Sequence, residues 1–160
     1  MSATPLPVVN ATSVEVMADT GSPPGFRIRY RQLGPLLGGE LLGGTVYEFH
    51  PGERTGPYHY EIGNEECLLV LAGTPTLRHP EGQDVLAVGD LVFFEEGPGG
   101  AHQVINESSD VARVLILSTM RVPVGCVYPD SDRLGIRPSG GGPDRLDFRR
   151  DDAVGYWDGE

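Results

Sequence analysis

From residue 44 onward the chain is a series of short apolar runs separated by turn residues. Period-two alternation or short apolar runs predict strands over 45–49, 58–62, 66–71, 76–79, 85–88, 91–94, 102–105 and 112–118. Turn chemistry closes each one: Gly63-Asn64, Ala72-Gly73, residues 80–83, Gly89-Asp90, residues 97–100 and residues 106–110. Strands this short at this spacing predict an all-β sandwich or barrel. Upstream, Phe26, Ile28 and Tyr30 alternate with Arg27 and Arg29, which predicts a half-buried strand, and a shorter one is expected at 14–16. Residues 33–44 carry five glycines and a proline, so they read as a covering loop or edge segment rather than a helix. After Met120 the rhythm loosens into short strands at 122–128 and 134–137 and a flexible loop at 139–143. No stretch predicts an amphipathic helix of three turns. Near the end, Tyr156 and Trp157 form an aromatic pair expected to dock on the body.

Length adds one constraint. A chain of 160 residues predicts one domain, with a barrel core at about 44–118, an N-terminal arm over 1–25 and a C-terminal extension over 121–160. Charge adds another. With 23 Asp plus Glu against 12 Lys plus Arg the net charge is −11, which argues against nucleic-acid and membrane-surface partners. The small basic cluster Arg145, Arg149 and Arg150 is interleaved with Asp144, Asp147, Asp151 and Asp152 and reads as a salt-bridged face. The first residues have neither a basic nor an apolar leader region, and no run of about 18 apolar residues occurs. Cys67 and Cys126 have no metal or redox spacing and fit a reducing compartment, so a cytoplasmic location is expected.

Strand parity sorts the candidate chemistry. Residues i and i+2 share a face. His59 and Glu61 therefore project together, and Tyr58 and Tyr60 face the other way. On the next strand Glu66 shares a face with Leu68 and Val70, which turns Cys67 away from anything Glu66 points into. His102 lies on a further predicted strand, so two imidazoles and two carboxylates can meet inside a barrel. His50 and His79 read as surface residues, and Phe49, Phe93 and Phe94 as core or pocket wall. No nucleophile elbow, Walker loop or dinucleotide fingerprint in strand–helix context is present.

The run from Gly52 to Asn106 resembles the two motifs of the cupin superfamily. Gly52, His59, position 61, Glu66 and Gly73 stand where the first motif has its glycine, His-x-His pair, glutamate and closing glycine. Gly89, Glu95-Glu96-Gly97, His102 and Asn106 follow the second. The resemblance covers about 44–118 and, more narrowly, is to small single-domain bacterial cupins. It departs in four ways, one of them that Gly52 lies one residue further from His59 than the motif spacing. Glu61 replaces the second histidine, Glu95 replaces a proline, and the loop before His102 is longer.

The resemblance implies a double-stranded β-helix, or jelly-roll barrel, with N- and C-terminal extensions. It implies a divalent metal (Fe, Mn or Zn) held by His59, Glu61, Glu66 and His102, with Glu61 as ligand or as general base. It also implies a small-molecule ligand and a homodimer. The expected function is a small metal-dependent enzyme of the oxygenase, isomerase or lyase type acting on an oxygen-bearing molecule. The alternatives are a non-catalytic ligand-binding or sensing cupin with a weakened metal site, and a structural barrel without ligand.

Overall fold

The computed structural model of the chain describes residues 5–138 and 144–160. The loop expected at 139–143 and the first four residues of the arm lie outside them. The architecture is almost entirely antiparallel β-sheet.

In chain order the elements are β1 (Met17–Ala18), β2 (Arg29–Gln32), the single helical turn α1 (Gly34–Leu37), β3 (Leu42–Phe49), β4 (Tyr60–Ile62), β5 (Glu66–Ala72), β6 (Thr76–His79), β7 (Gly82–Val85), β8 (Leu91–Phe94), β9 (Gln103–Ile105), β10 (Ala112–Thr119), β11 (Val124–Tyr128), β12 (Arg133–Arg137) and β13 (Leu146–Arg149). One sheet of six strands has the order β1-β2-β3-β10-β5-β8. Opposite it lie β13-β12-β11-β4 and β7-β6-β9. A single antiparallel bridge between His59 and His102 links these two smaller sheets just ahead of β4 and β9. Two curved layers closing on one core are the expected jelly roll.

The core follows from alternation. Leu68 and Val70 of β5, Ala112 and Val114 of β10, Phe49, Phe94 and Val104 are all buried and pack as one cluster with Leu77, Leu86 and Ile28. Burying each large side chain of this kind contributes about 1.5–3 kcal/mol. On β8 alternation turns Phe93 outward, 62% exposed where Phe94 is 5%, which corrects the core or pocket-wall position expected for Phe93. The motif asparagine is structural. Asn106 is fully buried, donates to the carbonyls of Phe49 (2.9 Å) and Asp110 (2.7 Å), and accepts from the Ser108 hydroxyl (2.7 Å). It staples the β9–β10 turn to the end of β3. Gly73 has φ 76°, and a Cβ there would stand 2.7 Å from the Val111 carbonyl oxygen, so the turn after β5 requires glycine.

Several expected elements shift. The strand placed at 85–88 forms instead at Gly82–Val85, because a two-residue turn at Pro80-Glu81 pairs His79 with Gly82 and loop length fixes register ahead of hydrophobicity. No strand forms at 14–16, where one was expected; β1 lies just beyond it at Met17–Ala18, and the strand expected at 26–30 is displaced to Arg29–Gln32. Part of the glycine-rich segment forms α1 and the start of β3. β13 was not expected, although Leu146 and Phe148 alternate with Asp147 and Arg149. It is an edge strand on β12, and the charges around it mask that alternation.

The docking of the tail needs correction. Tyr156 and Trp157 are 87% and 77% exposed and meet each other edge-on at 4.7 Å. Local turns, from Asp158 N to the Gly155 carbonyl (3.0 Å) and Glu160 N to the Trp157 carbonyl (3.3 Å), hold the pair outward. The basic cluster behaves as a salt-bridged face: Arg145 pairs with Asp147 (2.8 Å) and Arg150 with Asp132 (2.9 Å). Cys67 and Cys126 are both free thiols. Among the described residues no helix is long and apolar enough to cross a membrane.

Candidate metal centre

His59 and His102 meet because their backbones do. The His102 amide donates to the His59 carbonyl at 2.8 Å and the His59 amide returns the bond at 3.1 Å. Directly opposed residues of an antiparallel pair put their side chains on one face. The imidazoles stand 4.8 Å apart, between Phe94, stacked on His102 at 3.7 Å, and Tyr128, 5.9 Å from His59. Glu66 enters from the facing sheet. It sits opposite Phe94 on β8 and Ser118 on β10, and its Oε2 lies 3.5 Å from His102 Nε2.

One ligand atom from each of His59, Glu66 and His102 falls within 4.8 Å of the others. The surroundings prepare them as ligands. His59 Nδ1 is 2.9 Å from the Pro57 carbonyl and His102 Nδ1 is 2.9 Å from the Gly100 carbonyl. A carbonyl only accepts, so each Nδ1 carries the proton and each Nε2 keeps a free lone pair. Such outer contacts fix tautomer and ring orientation in metal-binding histidines. Burial lowers the pKa of both rings, and His102, also beside His59, falls to about 4. Both are therefore neutral near pH 7. Burial, and then the charge of Glu61, push Glu66 up to about 8, so a cation is the partner that would stabilise its ionised form. Two neutral imidazoles and a carboxylate that makes no ion pair with an arginine among the described residues fit a divalent metal ion.

Gly100 is part of this preparation. A Cβ there would collide with the backbone carbonyl of Glu95, and the Gly100 carbonyl is the group that orients His102. Gly100→Ala is expected to destabilise the protein by about 2–3 kcal/mol and to move His102. A urea unfolding midpoint equal to that of the wild type contradicts this.

Glu61 stands beside the three-residue group and has a different partner. It is 7% exposed. Its Oε1 accepts a short hydrogen bond from Arg137 and lies 3.5 Å from the Cys126 thiol, while Oε2 is buried with no hydrogen-bond partner among the described residues. Glu61 lies opposite Cys126 on β11, and Cys126 opposite Gly135 on β12, so Arg137 reaches in from two residues along. Burial and Glu61 raise the Cys126 pKa, which keeps it a thiol.

Sequence reasoning missed Arg137, Cys126 and Tyr128. All three lie beyond residue 120, outside the motif run, and the only local signal was the short apolar runs of β11 and β12. Cys67 stays out of the cluster, as parity predicts. His50 is exposed, and His79 is half-buried with its Nε2 3.1 Å from Asp84.

Glu61 and Glu66 open onto a cavity of about 560 Å³. Tyr47, Asn64, Ser118 and Arg137 add polar groups to its wall, beside the apolar Ile116 and Val124. Burial and then the Glu66 charge push the Tyr47 hydroxyl up to about 12, so it remains a donor. The segment 34–44 covers the other side of the cavity.

The barrel thus brings together a His–Glu–His group able to hold a metal ion, with Glu66 also on the wall of the cavity. Residues 45–118 match the family model of the cupin domain, so this stretch of the chain is a cupin domain. No curated protein matches the sequence. Among solved structures, the chain is similar to a protein of Acidithiobacillus ferrooxidans provisionally named a sugar phosphate isomerase, at 22% identity and TM-score 0.80, with 92% of this chain and 94% of that one covered. It is also similar to a sugar phosphate isomerase of the cupin superfamily from Silicibacter pomeroyi, at 22% identity and TM-score 0.79, covering 92% and 95%. The polyketide cyclase RemF from Streptomyces resistomycificus aligns at 24% identity and TM-score 0.58, covering 73% and 82%. The first two likenesses extend well beyond residues 45–118, so the fold of the flanking strands is shared too.

Proposed function

We propose that the protein is a small metal-dependent enzyme acting on an oxygen-bearing molecule held in the barrel, with His59, Glu66 and His102 as metal ligands. The observation that carries this reading is the convergence of their ligand atoms within 4.8 Å, each imidazole already locked in the metal-binding tautomer. A divalent ion there supplies Lewis-acid polarisation of a substrate oxygen.

The chain's own residues do the rest. Tyr47 donates into the cavity, and Ser118 lies beside Glu66 on its wall. Glu61 serves as general base, held in place by the Arg137 hydrogen bond to Oε1. Of the oxygenase, isomerase and lyase types, isomerisation is the first to assay, given the names of the two similar structures from Acidithiobacillus ferrooxidans and Silicibacter pomeroyi.

The ion pair of Glu61 with Arg137 favours a base over a fourth ligand, because coordination would have to compete with the guanidinium. The same pair supports the second reading, a non-catalytic ligand-binding cupin in which Glu61 only shapes the cavity.

Elemental analysis of protein purified without added metal tests the metal centre. About one equivalent of a transition metal per chain is expected. A chain that stays metal-free under every loading condition sinks the proposal. Turnover of a hydroxy-carbonyl substrate by the loaded protein, abolished in Glu61→Gln with metal retained, separates the enzyme from the binder.

A further inference from the structure

The cavity carries more charge than a metal centre needs. Arg121 lines it just beyond β10, and its guanidinium makes no ion pair among the described residues. Among the described residues Arg29, Arg78, Arg113, Arg137, Arg145 and Arg150 pair with carboxylates; of the six arginines that do not, the exposed Arg121 is the one that lines this cavity, which makes it a candidate for an anion. Its backbone is held. The Arg121 amide donates at 3.0 Å to the side chain of Asn64, which is buried and also accepts from the Thr119 hydroxyl at 3.2 Å. Glu61 lines the same cavity, is more than nine-tenths buried, and its Oε2 has no hydrogen-bond partner among the described residues. A buried carboxylate oxygen without a donor is destabilising unless something donates to it.

We propose that the cavity takes an anionic hydroxy compound, with a hydroxyl at the end walled by Glu61 and Glu66 and a carboxylate or phosphate at Arg121. The inference names the substrate class of the metal-centred reading above and rests on it. Volume agrees: about 560 Å³ admits a small metabolite. Arginine is the side chain suited to both oxyanions, since its planar fork matches carboxylate and phosphate geometry. Glu40, from the covering segment, lines the same cavity and is the carboxylate that opposes an anion there.

Calorimetric titration of the metal-loaded protein with four probes tests this: glycolate, glycerol phosphate, acetate and glycerol. Glycolate, glycerol phosphate or both should bind. Acetate, which lacks the hydroxyl, and glycerol, which lacks the charge, should each bind about tenfold more weakly or less. Which of the two hydroxylated anions binds decides between carboxylate and phosphate. Arg121→Gln should weaken the preferred anion about tenfold, leaving metal content and glycerol binding unchanged. Glu40→Gln should tighten it. Glycerol binding as well as the anions, unchanged anion affinity in Arg121→Gln, or no anion binding to fully loaded protein overturns the inference alone. A protein that never holds metal overturns the underlying reading and this one with it.

Discussion

The His102→Ala variant should lose its metal while keeping its fold. Outer-shell contacts of metal-binding histidines are worth 10–100-fold in affinity, so deleting a ligand itself should cost more than about 100-fold. His59 and Glu66 remain, but they approach from different sheets and leave a ligand set of one imidazole and one carboxylate. The backbone is not at stake. The two hydrogen bonds that pair residue 102 with residue 59 are main-chain bonds and survive the substitution. The metal-free variant gives up the stacking of the ring on Phe94 at 3.7 Å and gains a small void, about 1–2 kcal/mol of stability. Elemental analysis and a melt in chelator read the two effects separately. A variant that still carries one equivalent of metal, with a wild-type melt, removes His102 from the centre. The expected pattern is metal lost and fold kept. Loss of both would mean that His102 holds the barrel together rather than the ion.

The fold was more legible than the site's charge balance, and the reason is range. Strands such as β5 and β10 announce themselves within seven or eight residues, and parity on β5 alone separates Glu66 from Cys67. Turn glycines mark where each strand ends. Element boundaries slipped where tertiary constraints decided them, as in the tight turn ahead of β7. His59, Glu66 and His102 could be grouped because the resemblance spans all three. Arg137 could not. It lies 76 residues from Glu61 and reaches it only because β4 pairs with β11 and β11 with β12, a register no local pattern encodes. The tail failed for a related reason. Two aromatic residues say that burial is favourable, but not whether a receiving surface is within reach.

Arg137 therefore carries the second large effect. Arg137→Met should destabilise the metal-free protein by about 2–3 kcal/mol. Removing one member of a buried ion pair costs about 3–5 kcal/mol, because the other charge is left uncompensated. Here the Arg137 side chain is 36% exposed against 7% for Glu61, so water screens part of the loss and the smaller figure applies. Adding Glu61→Leu should recover most of it, because an apolar pair of similar volume avoids both desolvation costs. Equilibrium urea unfolding of the wild type, both single variants and the double variant gives the coupling. A single Arg137→Met variant as stable as the wild type would show that Glu61 needs no cation there. Metal should shift the outcome in one direction. A bound cation beside Glu61 takes over part of the guanidinium's charge compensation, so the Arg137→Met penalty should shrink when the protein is loaded. A penalty that is the same with and without metal means that Glu61 and the ion do not interact. The base and ligand roles for Glu61 would then fall together, leaving it to shape the cavity wall with Arg137.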